Sequence, residues 1–221
     1  MVGWADLLDN WPEVPLSYNV APSSTIAVFY PGEHAMPTGL AMRWGLVPGW
    51  SKNFASRYAT FNARLETVAE KATFRSAWKQ ERRCLIPMAG YYEWQAASAG
   101  PASTAERGIK QPFYITDKNV GGLVAAGLYE AWRPDRESLE AAKLSCTMIT
   151  RPADQGLDTI HGRMPILLTP ETARHWLHCE LDQTSDFLHQ VESPDLVYWP
   201  VGRAVGNVRN DDQRLCEPVD I

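Results

Sequence analysis

The chain has 221 residues, of which 45% are apolar and nine are Trp, enough for one domain, spanning residues 1–221, with a substantial core. A formal charge of -5 at pH 7 argues against nucleic-acid binding through the overall electrostatic field, so any polyanion site must be local. Four widely spaced Cys, with no leader pattern and no 18-residue apolar run, argue against disulfide-rich, secreted and membrane proteins and predict a cytoplasmic location.

The predicted elements are mostly short strands, because β-branched and aromatic runs alternate with Pro and Gly. Strands are predicted at residues 25–30, 41–47, 83–87, 91–95, 112–116, 123–132, 144–150, 164–168 and 196–199. Helices are predicted at 73–80, from the N-cap Thr169 to about residue 180, and at 185–191. Residues 96–110 and 133–143 are predicted loops. This spacing favours an α+β domain with a mostly antiparallel, strongly curved sheet or barrel-like core and a few peripheral helices.

Residues 57–83 form a basic segment in an otherwise acidic chain. The segment has seven Lys or Arg against three Glu, a net charge of +4. Its cations are Arg57, Arg64, Lys71, Arg75, Lys79, Arg82 and Arg83. This polarity is typical of a confined phosphate groove, and a solvated helix face with mixed charges is the alternative.

Three polar groups set among apolar residues are candidates for proton transfer. Glu93 lies between two aromatic residues on a predicted strand, where burial would raise its pKa; a structural salt bridge is the alternative. His161 lies in a turn and either transfers protons near neutral pH or only donates a hydrogen bond. Asn62 and Arg64 share one strand face, where the amide can orient a substrate oxygen and the guanidinium can bind phosphate.

Two further patterns each have a functional and a structural interpretation. Trp44 and Trp50 flank a turn, and their indoles either stack on unpaired bases or pack in the core. Glu171, His175 and His178 would align on one helical face like metal ligands. Because no ligand from a second element can be identified, an exposed helix face is favoured over a metal site. No metal and no cofactor are predicted.

The chain carries seven short motifs in order: YNVAP at 18–22, WGLVPGW at 44–50, NARLET at 62–67, RCLIP at 83–87, GYYEW at 90–94, HGRMP at 161–165 and PVGRAVGNV at 200–208. This set, which spans nearly the whole chain, resembles the SOS-response-associated peptidase (SRAP) family. Members of that family include a sensor of abasic sites in single-stranded DNA.

The resemblance implies binding of single-stranded DNA and covalent reaction with the aldehyde of an abasic site, together with a peptidase activity that would remove N-terminal residues. It implies that Asn62 contacts the adduct, that Glu93 handles protons and that His161 assists Schiff-base chemistry and its reversal. DNA binding would fall to the following residues: Arg64, Arg163 and the loop of Trp44 and Trp50, with Lys71 and Arg75 as further candidates. No obligate protein partner is inferred.

The family's nucleophile is an N-terminal Cys exposed by removal of the initiator Met, whereas Val2 follows Met1 in this chain. Two explanations stay open. Either Met1 is internal to a longer chain with the Cys upstream, which the resemblance of residues 5–8 to the family's first helix favours, or Val2 replaces the Cys and its α-amine forms only a reversible imine. Cys84 is expected to be buried and cannot substitute.

Two other functions remain as alternatives. One is a non-catalytic single-stranded nucleic-acid binding module that has lost its nucleophile. The other is an unrelated small-molecule hydrolase that uses Glu93 and His161.

Overall fold

The computed structural model describes residues 4–32, 36–56, 58–95, 110–119, 121–135 and 141–220. Nearly all of the predicted loop at 96–110, part of the loop at 133–143, and Arg57 of the basic segment lie outside these residues. Met1 and Val2 lie outside them as well.

The elements within these ranges follow in chain order. They are α1 (Trp4–Leu7), β1 (Thr25–Pro31), β2 (Pro37–Trp44), β3 (Asn62–Arg64), α2 (Arg75–Lys79), β4 (Arg83–Met88), β5 (Gly90–Gln95), β6 (Gln111–Asp117), β7 (Leu123–Trp132), β8 (Lys143–Pro152), β9 (Arg163–Pro165), α3 (Pro170–His178), α4 (Leu181–Gln190) and β10 (Leu196–Pro200). Short 3-10 turns lie at Leu65–Thr67, Leu157–Thr159, Arg203–Gly206 and Gln213–Cys216.

The strands form two sheets. The large sheet has the order β2-β1-β4-β7-β8-β3, and β9 pairs with β8. Because β2 also pairs with β8, this sheet curves round until β2 meets β8. The second sheet has the antiparallel order β10-β6-β5. The predicted α+β class with a strongly curved, mostly antiparallel sheet is confirmed, although β2 and β3 run parallel to β8 and make the sheet mixed.

Both faces of the large sheet are buried. Neighbouring residues of a strand point to opposite faces, so the two faces can be followed along one strand. On β4, Leu85 belongs to a core cluster shared with Trp176 of α3. The next residue, Ile86, belongs to a second cluster shared with Phe113 and Ile115 of the small sheet. The helices therefore cover one face of the large sheet, and the small sheet covers the other.

Predicted boundaries differ most from the structure in three elements, of which the first, β2, begins at Pro37 rather than at residue 41. Strand β2 ends at Trp44 rather than at residue 47, because Gly45 has a φ of 129°, which interrupts the extended backbone. The predicted strand at 164–168 is regular only over β9, and Leu167 forms an isolated bridge with Ala125. Helix α4 begins at Leu181, four residues before the predicted 185. Its first turn is mostly exposed and lacks apolar periodicity, so the sequence pattern does not reveal it.

Helix α3 begins as predicted. The Thr169 side chain accepts from the backbone N–H of Thr172 in a capping box, and Pro170 occupies the first turn. None of the helices in the described ranges has the length and apolar character needed to cross a membrane.

Candidate active site and nucleic-acid face

Glu93 and His161 lie next to each other, although they come from distant motifs. Strand β5 places Glu93 on the face of Tyr91, while Tyr92 and Trp94 pack on the opposite face, as the predicted alternation requires. The Glu93 Oε1 atom is 3.5 Å from Nδ1 of His161, and the two side chains are 25% and 50% exposed. The structure therefore brings two of the three predicted catalytic groups together at a partly open surface.

The hydrogen bonds of His161 determine which ring nitrogen is basic. Nδ1 lies 3.0 Å from the backbone carbonyl oxygen of Arg163, closer than it lies to Glu93. A carbonyl oxygen can only accept, so Nδ1 carries a hydrogen. In the neutral imidazole, Nε2 then keeps its lone pair and can accept a proton.

Glu93 has a raised pKa, chiefly because burial penalises the carboxylate. The charges of His161 and Lys110 and the backbone N–H of Trp94 oppose this effect. The carboxyl group therefore keeps its proton to higher pH than an ordinary Glu side chain, which suits it to act as an acid.

We expect Glu93→Gln to stabilise the protein more strongly as the pH rises. The raised pKa means that Glu93 contributes stability that is complete below the unfolded value of 4.5 and is lost as the pH rises through the folded pKa. Gln does not titrate, so urea unfolding should show the variant gaining on the wild type between pH 4.5 and pH 8. A difference in unfolding free energy that stays constant over this pH range would contradict the raised pKa of Glu93 in the folded protein.

Arg163 joins this pair to strand β8. Its Nη1 and Nη2 atoms donate to the two carboxylate oxygens of Glu66 at 2.9 and 3.0 Å, and Nη2 also donates to the Thr150 carbonyl at 2.6 Å. The hydrogen bond from Arg163 lowers the pKa of Glu66, against the opposing effect of burial. Because the Arg163 backbone carbonyl is bonded to His161, these side chains form one connected network.

Asn62 and Arg64 lie on β3 at the edge of this network. Both are exposed, whereas Ala63 between them is buried in the core, so the predicted shared face is confirmed. The parallel register places Arg64 opposite Thr150, the residue that accepts from Arg163. Asn62 lies two residues earlier on the same face, opposite Met148 of β8. The adduct contact of Asn62 and the phosphate contacts of Arg64 and Arg163 stay predictions.

The two predicted stacking rings differ in exposure. The Trp50 ring is 67% exposed, and its Nε1 donates to the Ala72 carbonyl at 3.3 Å, which places the ring beside the exposed Lys71. Trp44 is half-buried: its Nε1 donates to the carbonyl of Phe61 at 3.1 Å, and the two rings meet edge to face at 5.5 Å. Trp50 therefore fits the stacking interpretation better than Trp44, which has a clear packing role.

The basic segment at 57–83 exposes fewer free cations than its sequence suggests. Arg83 is 2% exposed and donates to the Trp176 carbonyl and the Thr184 hydroxyl, and Arg82 forms an ion pair with the buried Glu130. The groove interpretation is therefore wrong for Arg82 and Arg83, because Arg83 is held in the core and Arg82 is paired with Glu130. In the described part of the segment, at residues 58–83, the exposed cations are Arg64, Lys71, Arg75 and Lys79.

The polar face of α3 and the cysteines are not part of this site. Glu171, His175 and His178 are exposed, and the His175 ring packs on Phe187 at 4.5 Å, which fits the favoured interpretation of a helix surface. Among the described residues, no group of three His, Cys, Asp or Glu is arranged to hold a metal ion. Cys84 is fully buried, as expected, and burial raises its pKa, which makes it a poor nucleophile.

Glu66 and Gln95 contact residues of the site, although no sequence motif assigns either of them a role. Glu66 holds Arg163, and Gln95 on β5 donates to the carbonyl of Thr159 at 2.9 Å, in the turn before His161. Glu66 lies within the NARLET motif and has the charge opposite to the Arg of HGRMP, but nothing in the sequence shows that these distant motifs meet.

The fold and the site together define an α+β protein with a partly exposed Glu93–His161 pair that is connected through Arg163 to Thr150, opposite the exposed Arg64. The chain belongs to the SOS response associated peptidase (SRAP) family, whose sequence profile matches residues 5–208.

Two relatives and one solved structure illustrate the similarity. The abasic site processing protein YoqW of Bacillus subtilis is 33% identical over 205 residues, which cover 91% of this chain and 85% of that protein. The abasic site processing protein HMCES of Xenopus tropicalis is 32% identical over 228 residues, covering 88% and 64%. An X-ray crystal structure of a protein from Bordetella bronchiseptica matches with a TM-score of 0.75 and 25% identity over 90% of this chain and 94% of that one.

Proposed function

We propose that this protein binds single-stranded DNA and forms a covalent adduct with the aldehyde of an abasic site, as part of a DNA damage response. The observation that carries the proposal is the contact of Glu93 with His161 at a partly exposed surface, connected through Arg163 to the strand beside Arg64. The names of the relatives, which are abasic site processing proteins, support the choice of substrate.

The acid–base pair suits the addition of an amine to an aldehyde. The amine lone pair adds to C1′ of the ring-opened sugar, and the carbonyl oxygen takes the proton of Glu93. The nitrogen then gives a proton to Nε2 of His161. The imidazolium returns this proton to the carbinolamine hydroxyl, which leaves as water while the nitrogen lone pair completes a protonated imine.

The amine is the α-amino group of the protein, as the family resemblance implies. The packing of helix α1 supports this assignment, because Leu7 and Leu8 lie in the same core cluster as Ala63 and Leu65. Those two residues alternate with Arg64 and Glu66 of the site, so the amino-terminal helix and the segment that carries the site contribute to one core cluster.

The DNA face combines cations with one exposed ring. Arg64, Lys71 and Arg75 bind phosphates, and the Trp50 indole stacks on an unpaired base, a contact worth roughly 1 to 3 kcal/mol. The hydrogen bond of Trp50 to Ala72 places the ring next to Lys71.

The proposal is tested by mixing the protein with a single-stranded oligonucleotide that contains one abasic site, adding borohydride to reduce an imine, and running a denaturing gel. We expect a shifted protein–DNA band that is absent with undamaged DNA and with a tetrahydrofuran analogue, which lacks the aldehyde. Binding without a shifted band would instead support the non-catalytic binding module. The absence of both binding and adduct would overturn the proposal.

We expect Arg64→Ala to weaken binding of single-stranded DNA and to lower the slope of log K against log salt by about 0.7, the value for one lost phosphate contact. Fluorescence anisotropy over a salt series measures both quantities. Arg174→Ala on the exposed surface of α3 is the matched control and should change neither. Equal salt slopes for Arg64→Ala and the wild type would remove Arg64 from the DNA face.

A further inference from the structure

We propose that Gln95 is a positioning residue whose side-chain amide holds His161 against Glu93. The effect of Gln95 on the rate of adduct formation rests on the proposed function. Its effect on the position of His161 relative to Glu93 can be measured without DNA.

One face of β5 contacts the His161 loop at two points. Glu93 and Gln95 lie two residues apart on this strand and therefore share a face. The Glu93 carboxylate lies 3.5 Å from the imidazole, and the Gln95 Nε2 atom donates to the carbonyl of Thr159 at 2.9 Å. Because Thr159 is two residues before His161, the amide fixes the backbone immediately before the imidazole.

The rest of the loop is held by other contacts. The Gln155 side chain donates to the Pro194 carbonyl at 3.2 Å and accepts from the Leu196 N–H at 3.3 Å. Asp154 pairs with Arg151 at 2.7 Å. Thr159 also donates from its hydroxyl to the Gly156 carbonyl at 2.7 Å, within the same turn. Loss of the Gln95 amide therefore removes the bond that ties this turn to β5 without releasing the base of the loop.

The backbone of His161 is also held, because its N–H donates to the Leu157 carbonyl at 2.9 Å and the neighbouring Ile160 is buried, but the imidazole ring itself has few contacts. On its carboxyl-terminal side, Nδ1 is held by the Arg163 carbonyl at 3.0 Å, whereas its contact with Glu93 is longer than a strong hydrogen bond. The side chain is also half exposed. Without the bond from Gln95 to Thr159, the imidazole can move away from the carboxylate.

Such a movement changes the titration of Glu93 in a defined direction. The charges of His161 and Lys110 lower the pKa of Glu93, and burial raises it. Tyr91, on the same strand face, also interacts with the carboxylate. If the imidazole moves away, one lowering influence weakens and the Glu93 titration moves to higher pH.

Gln111 provides a matched control. It is the strand partner of Gln95 on β6, and its Nε2 donates to the carbonyls of Pro112 and Val201 at 3.0 and 2.9 Å. Gln111 therefore has the same side chain and the same kind of acceptor, but it bonds to residues outside the His161 loop.

The test compares Gln95→Met with Gln111→Met, because Met keeps the side-chain length and removes the donor. Carbon-detected NMR of the Glu93 carboxyl over a pH series should show a higher titration midpoint for Gln95→Met and an unchanged midpoint for Gln111→Met. The rate of adduct formation should fall about tenfold in Gln95→Met only, because small displacements of catalytic groups have large effects on rate.

A wild-type titration and rate in Gln95→Met would overturn the inference, as would equal changes in the two variants. If the wild type forms no adduct, the proposed function fails, and the NMR titration still decides the role of Gln95. Gln95→Asn, which keeps the amide but is one methylene too short to reach Thr159, should shift the midpoint in the same direction. An unshifted midpoint in Gln95→Asn would count against the inference, and thermal melts establish that each variant is folded.

Discussion

Glu93→Gln should slow adduct formation with an abasic-site oligonucleotide by about 10²- to 10⁴-fold, the range expected for loss of a positioned acid. Gln keeps the shape of the side chain but has no proton to give to the aldehyde oxygen. Affinity for the same oligonucleotide should stay within about twofold of the wild type, because the phosphate contacts are assigned to other residues. Gel-resolved time courses and fluorescence anisotropy measure the two quantities separately.

Glu171→Gln, on the exposed surface of α3, is the control for this substitution and should leave both quantities unchanged. Unchanged adduct formation in Glu93→Gln would show that the carboxyl group is not the acid. An equal loss of binding and of adduct formation would instead show that Glu93 acts in DNA binding. A small-molecule hydrolase would be the better account if the wild type bound no DNA.

Trp176→Ala should destabilise the protein by about 3 to 5 kcal/mol, the usual cost of removing a large aromatic side chain from a core. Trp176 is 0% exposed, its Nε1 donates to the Cys84 carbonyl at 3.0 Å, and the Arg83 guanidinium lies 5.2 Å from its ring. The substitution leaves both a cavity and a buried cation that has lost its aromatic neighbour. Urea unfolding measures the change through the midpoint and the slope.

Trp50→Ala is the matched substitution at an exposed indole and should cost less than about 1 kcal/mol, as is usual for surface sites. Trp50→Ala should instead weaken binding of single-stranded DNA. Comparable losses of stability in the two variants would contradict the assignment of Trp176 to the core and of Trp50 to the surface.

The strands and α3 were predictable because their signals are local. The apolar and aromatic run of β7 predicts a buried strand, and the Thr169-Pro170 start of α3 predicts a helix through its cap. The predicted end of β9 was wrong because tertiary contacts decide it. The backbone of Ile166 donates to Ile149 of β8 and accepts from Ala126 of β7, so it lies between two strands and ends the regular pairing of β9.

The sequence predicted the residue types of the candidate site, but it did not predict the ion pairs and hydrogen bonds that join them. Aromatic neighbours predicted the burial and raised pKa of Glu93, and the structure confirms both. The ion pair of Arg163 with Glu66 depends on how β3 and β9 both pair with β8, which residue spacing does not encode. The core roles of Arg82 and Arg83 were missed for a related reason, since a count of charges does not distinguish surface cations from buried ones.

A crystal structure of the protein with a borohydride-trapped, abasic single-stranded oligonucleotide tests the central claim most directly. The account predicts that C1′ of the abasic sugar lies within about 3.5 Å of a carboxylate oxygen of Glu93 or of Nε2 of His161, with a neighbouring phosphate against Arg64. A trapped sugar bound away from the Glu93–His161 pair would contradict it.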